Sequence, residues 1–399
     1  MSGPPGHREH LSTRDGTDTP PGSRRERHLG WALVVVGAAG AVAAALADPV
    51  GAGDAAVQDW SPFVLVAGLI LIGLVADDDG LFAAAGHLLA RLGRSSGRLF
   101  LGAVVTVGVV TALLNLDTSV AFLTPVLVYG AVSRGGDDAP LLYGCLLLSN
   151  AGSMLLPGSN LTNLIVLGHL HLTGGQYLAR SWLPSLCALA ATAGVVAVAE
   201  RHALRRGVAT EASPPDRPVL GLGMAAVVGA TVLVVALRTP ALPVAAVGVA
   251  ACGARVAAGR DRLGRVVQVL GLPVLAGLFG IAVALGTLGR AWAGPTHLLA
   301  HAGAWGTAAI GAGTSVLVNN LPAASLLAAR TPTHPFALLA GLDIGPNLFV
   351  TGSLAWFLWL RAARGAGARP SLARAARLGL LSVPVAMAAA LGALALTGR

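Results

Sequence analysis

The chain has 399 residues, of which 55% are hydrophobic and 11% charged, less than half the roughly 25% charged residues of soluble domains. Several apolar windows approach the ~20 residues needed to cross a bilayer. This excludes a soluble enzyme, which could not bury so much apolar surface. The net charge of +9 does not point to nucleic acid. The arginines flank apolar runs, as in "RHALRRG" and "RVAAGRDRLGR", which is the pattern of cytoplasmic loops, and no nucleic-acid-binding motif accompanies them.

Residues 1–30, rich in Pro, Gly and charge, read as a disordered cytoplasmic tail. The next run, 31–47, follows a twin arginine and ends in small residues, so it resembles a signal peptide. It is expected to persist as a first helix, because the chain after it is itself membrane-embedded. Further apolar segments lie at 60–76, 99–114, 118–133, 141–156, 161–170, 181–199, 218–236, 239–256, 267–288, 299–317, 321–330, 335–343, 347–361 and 378–397. Helices are expected throughout, since unpaired backbone cannot sit in lipid. The alternation of a membrane barrel is missing.

Arginine placement orders these segments. Arg91, Arg94 and Arg98 precede 99–133 and Arg134 follows it. Both ends are then cytoplasmic, and 99–133 is a re-entrant hairpin with its tip at Asn115–Asp117. Each arm of about 16 residues spans roughly 24 Å at helical rise. A broken helix, 141–170, runs outward and 181–199 returns. The cytoplasmic linker 200–217 follows. Segments 218–236 and 239–256 go out and back, and 267–288 goes out. A second hairpin, 299–330, enters from outside, the broken helix 335–361 comes in, and 378–397 exits.

The expected fold is therefore an all-α polytopic membrane protein of two transmembrane halves, 31–199 and 218–399, with nine crossings and two hairpins. It lies in the inner or plasma membrane, with its N-terminus cytoplasmic and its C-terminus outside. Trp60, Trp182 and Trp292 fit the interfacial aromatic belt.

The halves repeat each other. "ALLNLDTSVAFLTP" then "LLPGSNLTNLIVLG" in the first matches "TSVLVNNLPAASLLA" then "GLDIGPNLFVTGSLA" in the second. Each pair is an Asn-bearing break followed by a Gly/Pro/Asn-bearing break, entered from opposite faces. Broken helices in an inverted repeat place a solute site near the midplane. Their N-terminal ends favour anions and their C-terminal ends cations. Ser159, Asn160, Asn163, Asn319, Asn320 and Asn347 add neutral dipoles.

"NLDTSVAFLTP", "LLPGSNLTNLIVLG", "LVNNLPAASLL" and "GLDIGPNLFVTGSLAWFLWLRAARGAGARPS" resemble the arsenite efflux permeases of the ion transporter superfamily, which also contains sodium–dicarboxylate and citrate symporters. The resemblance covers roughly residues 60–365. It implies a scaffold and a mobile transport domain, a homodimer, and elevator-like alternating access. It implies that Asn115 to Thr118 and Asn319 to Leu321 lie at hairpin tips. Pro157, Gly158, Ser159 and Asn160, and Asp343 to Asn347 with Gly345 and Pro346, lie at the helix breaks. An ATPase subunit is a partner implied by resemblance alone. The dicarboxylate symporters carry Ser-Asn-Thr at both tips, where this chain reads "NLD" and "NNL".

Of eighteen acidic residues, only Asp117 and Asp343 fall in these breaks. Intramembrane ionisable groups are functional hypotheses by default. Each aspartate can couple transport by carrying a proton or helping to bind a cation, or can cap the helix after it; the two roles are compatible. No arginine stands at either break, which favours a neutral or singly charged solute such as As(OH)3. A sodium- or proton-coupled carrier of a dicarboxylate, citrate or sulfate is the alternative.

No cofactor is expected, only bound Na+ or H+. The histidines and the three cysteines lack metal-ligand spacing, so no metal site is expected. Neither a Ser/His/Asp set nor HExxH is found, so an enzyme is not expected. There is no GxxxxGK[ST] to bind nucleotide. The expected partners are the bilayer and a small inorganic or carboxylate solute.

Overall fold

A computed structural model describes residues 22–92, 95–132, 135–168, 170, 172–205 and 221–397, and their secondary structure is helical. The first half contains α1 (Gly22–Ala47), α2 (Pro49–Asp78), α3 (Leu81–Leu92), α4 (Ser96–Leu113), α5 (Leu116–Val132), α6 (Ala139–Gly152), α7 (Leu161–Leu167), α8 (Gly174–Ala199) and the short α9 (Arg201–Arg205). The second contains α10 (Leu222–Ala236), α11 (Ala241–Ala257), α12 (Leu263–Leu270), α13 (Leu272–Ala291), α14 (Gly294–His301), α15 (Gly303–Val318), α16 (Asn320–Leu327), α17 (Pro335–Ile344), α18 (Leu354–Gly365) and α19 (Leu372–Leu396). Among the described residues, six helical runs are long and apolar enough to cross a membrane. Shorter apolar helices accompany them, including α5, α6 and α15.

The packing follows an approximate two-fold relation. Helix α1 lies on α13 and α11 lies on α2, while α2 meets α13 and α8 meets α19. Glycines make both outer contacts close. A methyl group at Gly37 would stand 2.2 Å from the carbonyl oxygen of Gly277, and one at Gly68 would stand 2.7 Å from Cα of Ala245. Small residues let helix backbones approach in this way where lipid offers no hydrophobic drive to associate. The hairpin α4–α5 packs on α6, and α15–α16 packs on α17. Trp356 and Trp359 of α18 are fully buried and donate to the carbonyls of Pro346 and Leu142.

Several boundaries differ from expectation. The tail expected over 1–30 is helical from Gly22 onward; residues 1–21 lie outside the described residues. So do Arg94, Arg134, His169, His171 and most of the linker, 206–217. Helix α2 starts at Pro49 instead of 60, because the Asp48 carboxylate accepts from the amide of Gly51 and proline occupies the first turn. The stretch "ADPVGAGDAAVQDW", which falls between the apolar segments 31–47 and 60–76, is thus mostly helix. Its Asp59 is buried, as are Glu200 and Asp343, while Asp117 is half-buried; Asp59 is thus a buried acid outside the breaks. Helix α18 starts at Leu354 instead of 347, since Phe349 is extended and Ser353 forms the N-cap.

The helices α12 and α14 were not expected. The first is amphipathic and turns into α13 at Gly271, whose φ of 59° suits glycine. Where α2 ends, Asp78 and Asp79 pair with Arg255, and Asp78 pairs with Arg265. This ties the ends of α2 and α11 to α12.

Candidate solute site between four helix ends

Each hairpin turns at an asparagine. Asn115 accepts from the amide of Thr118 through Oδ1 at 2.6 Å, capping α5. Asn319 accepts from the amide of Leu321 at 3.3 Å, capping α16. The cap considered for Asp117 therefore belongs to Asn115, and Asp117 occupies the first turn of α5. Asn319 has φ 76° and ψ 148°, a region used essentially by glycine alone. Its Nδ2 donates to the carbonyl of Thr351, and the amide of Asn320 donates to that of Gly352. The second tip is thus fastened to the chain just before α18.

Both broken helices pass through one turn of 3-10 helix, Pro157–Ser159 and Gly345–Leu348. The freed backbone groups of the first break find side chains. Asn163 donates to the carbonyls of Ser153 and Leu156, Tyr177 to that of Met154 and Ser181 to that of Leu155. Ser159 donates to the carbonyl of Ala112 on α4.

The two breaks also hold each other. Asp343, fully buried in the last turn of α17, accepts at Oδ1 from Nδ2 of Asn160 at 2.9 Å and from the hydroxyl of Thr162 at 2.6 Å. The cap on the following helix considered for Asp343 does not form, because Ser353 stands at the N-cap position of α18. In the related position on α6, Asn150 accepts at Oδ1 from the Ser353 hydroxyl. Each break thus joins the last turn of one half-helix to the N-cap residue of the other repeat's second half-helix. Asn347 adds a bond from Nδ2 to the carbonyl of Leu147.

One cavity of about 160 Å³ collects the N-terminal ends of four helices. Asp117 and Thr118 represent α5, Asn160 and Leu161 represent α7, Asn319 and Asn320 represent α16, and Ser353 and Leu354 represent α18. Unsatisfied amides at such ends carry partial positive charge. Asp117 supplies an opposing acidic group, and its carboxyl takes no hydrogen bond among the described residues. The apolar wall comes from α2 and α13, through Val66, Ile70, Leu275 and Leu278.

The other expected residues stand behind this surface. Asn115, Ser159, Asn163, Asp343 and Asn347 are buried in the supporting network, and Pro157, Gly158, Gly345 and Pro346 shape the turns. Three polar or charged lining residues were not foreseen: Ser353, Gln268 of α12 and Arg361 of α18. No arginine stands at a break, as expected, yet Arg361 lines the same cavity two turns along α18. Among the described residues no cluster of His, Cys, Asp and Glu could hold a metal. Cys145 is buried away from the cavity, against the Thr124 hydroxyl.

The chain is 26% identical to the arsenical pump membrane protein of Escherichia coli over 370 residues, 83% of this chain and 85% of that protein. It is 26% identical to the arsenical pump membrane protein of Yersinia enterocolitica over 337 residues, 75% and 78% of the two chains. Among solved structures it is similar to the YdaH transporter of Alcanivorax borkumensis, with a TM-score of 0.52 at 15% identity over 85% of this chain and 86% of that one. This last likeness concerns the fold. The citrate transporter profile, CitMHS, matches residues 26–358, and the protein therefore belongs to the citrate transporter family, as a multi-pass membrane transporter.

Proposed function

We propose that the protein exports arsenite or antimonite by proton-coupled alternating access. The observation that carries this reading is the cavity where four helix N-termini, three asparagines and Asp117 meet. Amide dipoles and carboxamides suit the hydroxyls of As(OH)3, and Asp117 is placed to exchange a proton with the same space. Asp343, bonded to Asn160, connects a second carboxyl to that wall. The similarity to arsenical pump membrane proteins supports this cargo. We assign the N-terminus to the cytoplasm and the C-terminus to the outside, and the working unit to a homodimer that an ATPase subunit can join. The test is arsenite accumulation by everted vesicles under an imposed proton gradient. Accumulation that ignores the gradient would remove the coupling.

A second reading keeps the mechanism and changes the cargo to a small anion, such as a dicarboxylate, citrate or sulfate, coupled to sodium or protons. Arg361 in the cavity lining and the family match favour it. Sodium-stimulated citrate or sulfate uptake, without arsenite transport, would select this reading over the first.

A further inference from the structure

The cavity reaches α12 and Arg361 at one end. Toward the other end of the molecule it is closed by two layers on α2 and α13. Val66 and Ile70 of α2 and Val274, Leu275 and Leu278 of α13 line the cavity. Next along both helices, Phe63 and Phe279 meet edge to face with ring centroids 5.3 Å apart. One turn further along α2 is Gln58. Its Nε2 donates to the carbonyl of Ala328 at 3.1 Å and to that of Ile165 at 3.4 Å. Ala328 is the C-cap of α16, and Ile165 lies in the last turn of α7, so both carbonyls are among those a helix end leaves without an internal partner.

Gln58 is itself fixed. Its Oε1 accepts from Arg290 of α13, which also donates to the carbonyl of Gly286. Asp59, buried beside it, is a Coulombic partner of that guanidinium. One side chain on α2 therefore ties down the far ends of two helices whose near ends, Asn160 and Asn319–Asn320, form the cavity wall.

We propose that Gln58, oriented by Arg290, is the positioning residue of the second gate. It holds α7 and α16 against α2 while the cavity is reached from the Arg361 end, and it must release both before the cavity is reached from the opposite face. This rests on alternating access, whichever solute is carried.

The test uses a reporter cysteine, Leu354→Cys, on the cavity wall, and a membrane-impermeant maleimide applied to each face of sealed vesicles. The parent chain with its three native cysteines sets the background. The reporter is expected to label from one face. Adding Gln58→Ala is expected to raise labelling from the opposite face about tenfold, the shift that two lost hydrogen bonds produce. Gln58→Glu keeps an acceptor for Arg290 but donates to neither carbonyl, so it gives the same shift and serves where the alanine variant does not insert. An arsenite, citrate or sulfate gradient is applied in parallel. If a gradient moves labelling to the opposite face and neither Gln58 variant does, the latch is wrong and alternating access stands. If no gradient and no variant ever exposes the reporter there, alternating access fails and the latch with it.

Discussion

Asn160 and Asp343, 183 positions apart in the chain, meet through a 2.9 Å hydrogen bond from Nδ2 to Oδ1. Thr162 completes the same carboxylate oxygen. The bond joins the two broken helices, and removing the acceptor strands the Thr162 hydroxyl and leaves Asn160 Nδ2 with the Ser153 hydroxyl alone. Asp343→Ala is expected to lower stability by about 1–3 kcal/mol, the usual cost of unsatisfied buried groups. Asp343→Asn keeps an acceptor oxygen and is expected to lose clearly less. Thermal unfolding of both variants in detergent gives the comparison. Equal losses would mean that charge, not the hydrogen bond, carries the stability. If Asp343→Asn folds normally but no longer responds to a proton gradient, the carboxyl serves coupling as well.

Asp117 differs in the property that matters. Among the described residues no hydrogen bond ends on its carboxylate, and Asn115 already caps α5. Asp117→Asn is therefore expected to leave the melting temperature nearly unchanged, within the ~0.5 kcal/mol typical of substitutions away from structural networks, while abolishing proton-driven transport. Vesicle flux with and without a pH gradient measures this. A variant still driven equally by the gradient would remove Asp117 from the coupling role.

The contrast shows what could be read from residue types alone. "NLD", "GSN", "NNL" and "LDIGPN" marked the four breaks, because asparagine, glycine, proline and aspartate inside apolar runs have few structural uses other than ending and restarting helices. The division of labour among them was not legible. Both Asn115 and Asn160 cap a helix, yet only Asn160 also lines the cavity, although both look alike in sequence; which way a side chain points depends on partners far along the chain. One serine in "TGSLAW" carries no pattern to single out Ser353, and Asn150 falls within the apolar segment 141–156, ahead of the Gly/Pro/Asn signal of the break. The signal that could have found Asn150 is the repeat itself, since "SNAG" aligns with "LDIG". Asp59 was not legible for a different reason: the apolar run begins only at 60, whereas the cap of Asp48 and the proline at 49 start the helix about three turns earlier.

The backbone of Asn319 gives a third expectation. Its φ of 76° with ψ of 148° costs on the order of 1–3 kcal/mol for a residue with a Cβ, yet its side chain caps α16. Asn319→Ala keeps the strain and loses the cap, worth about 1 kcal/mol. Asn319→Gly loses the cap and relieves the strain. The glycine variant is expected to match or exceed the parent in thermal stability, and the alanine variant to fall below it. The reverse order would mean that the tip adopts another conformation.

The glycine contacts supply a fourth, on packing alone. A Cβ at Gly277 would stand 2.5 Å from the carbonyl carbon of Leu33 and one at Gly68 2.7 Å from Cα of Ala245, so backbone has to move in both. Gly277→Ala and Gly68→Ala are each expected to destabilise by roughly 1–3 kcal/mol, the range for overpacking. Gly229→Ala, on α10 with open space around it, serves as the control and is expected to be neutral or slightly stabilising. Loss at the control equal to that at the contacts would show that any added methyl harms insertion, and the close approach would explain nothing.

Arg361 separates the two cargo readings. It is a permanent cation in a cavity that otherwise offers neutral dipoles and one acid, and it is exposed, so its attraction for an anion falls with salt. Arg361→Gln is expected to weaken transport of an anionic solute several-fold at low ionic strength, less at high, in line with the ~1.5–3 kcal/mol of hydrogen bonds to charged groups less screening. Transport of neutral As(OH)3 has no charge for the guanidinium to attract, and is expected to change little and independently of salt. Initial rates at two salt concentrations, for arsenite and for citrate, decide the matter. A salt-dependent loss for citrate with arsenite transport intact would mean that the site accepts both classes and that Arg361 serves only the anion. An equal, salt-independent loss for both solutes would instead make Arg361 a support of α18 with no part in recognising charge.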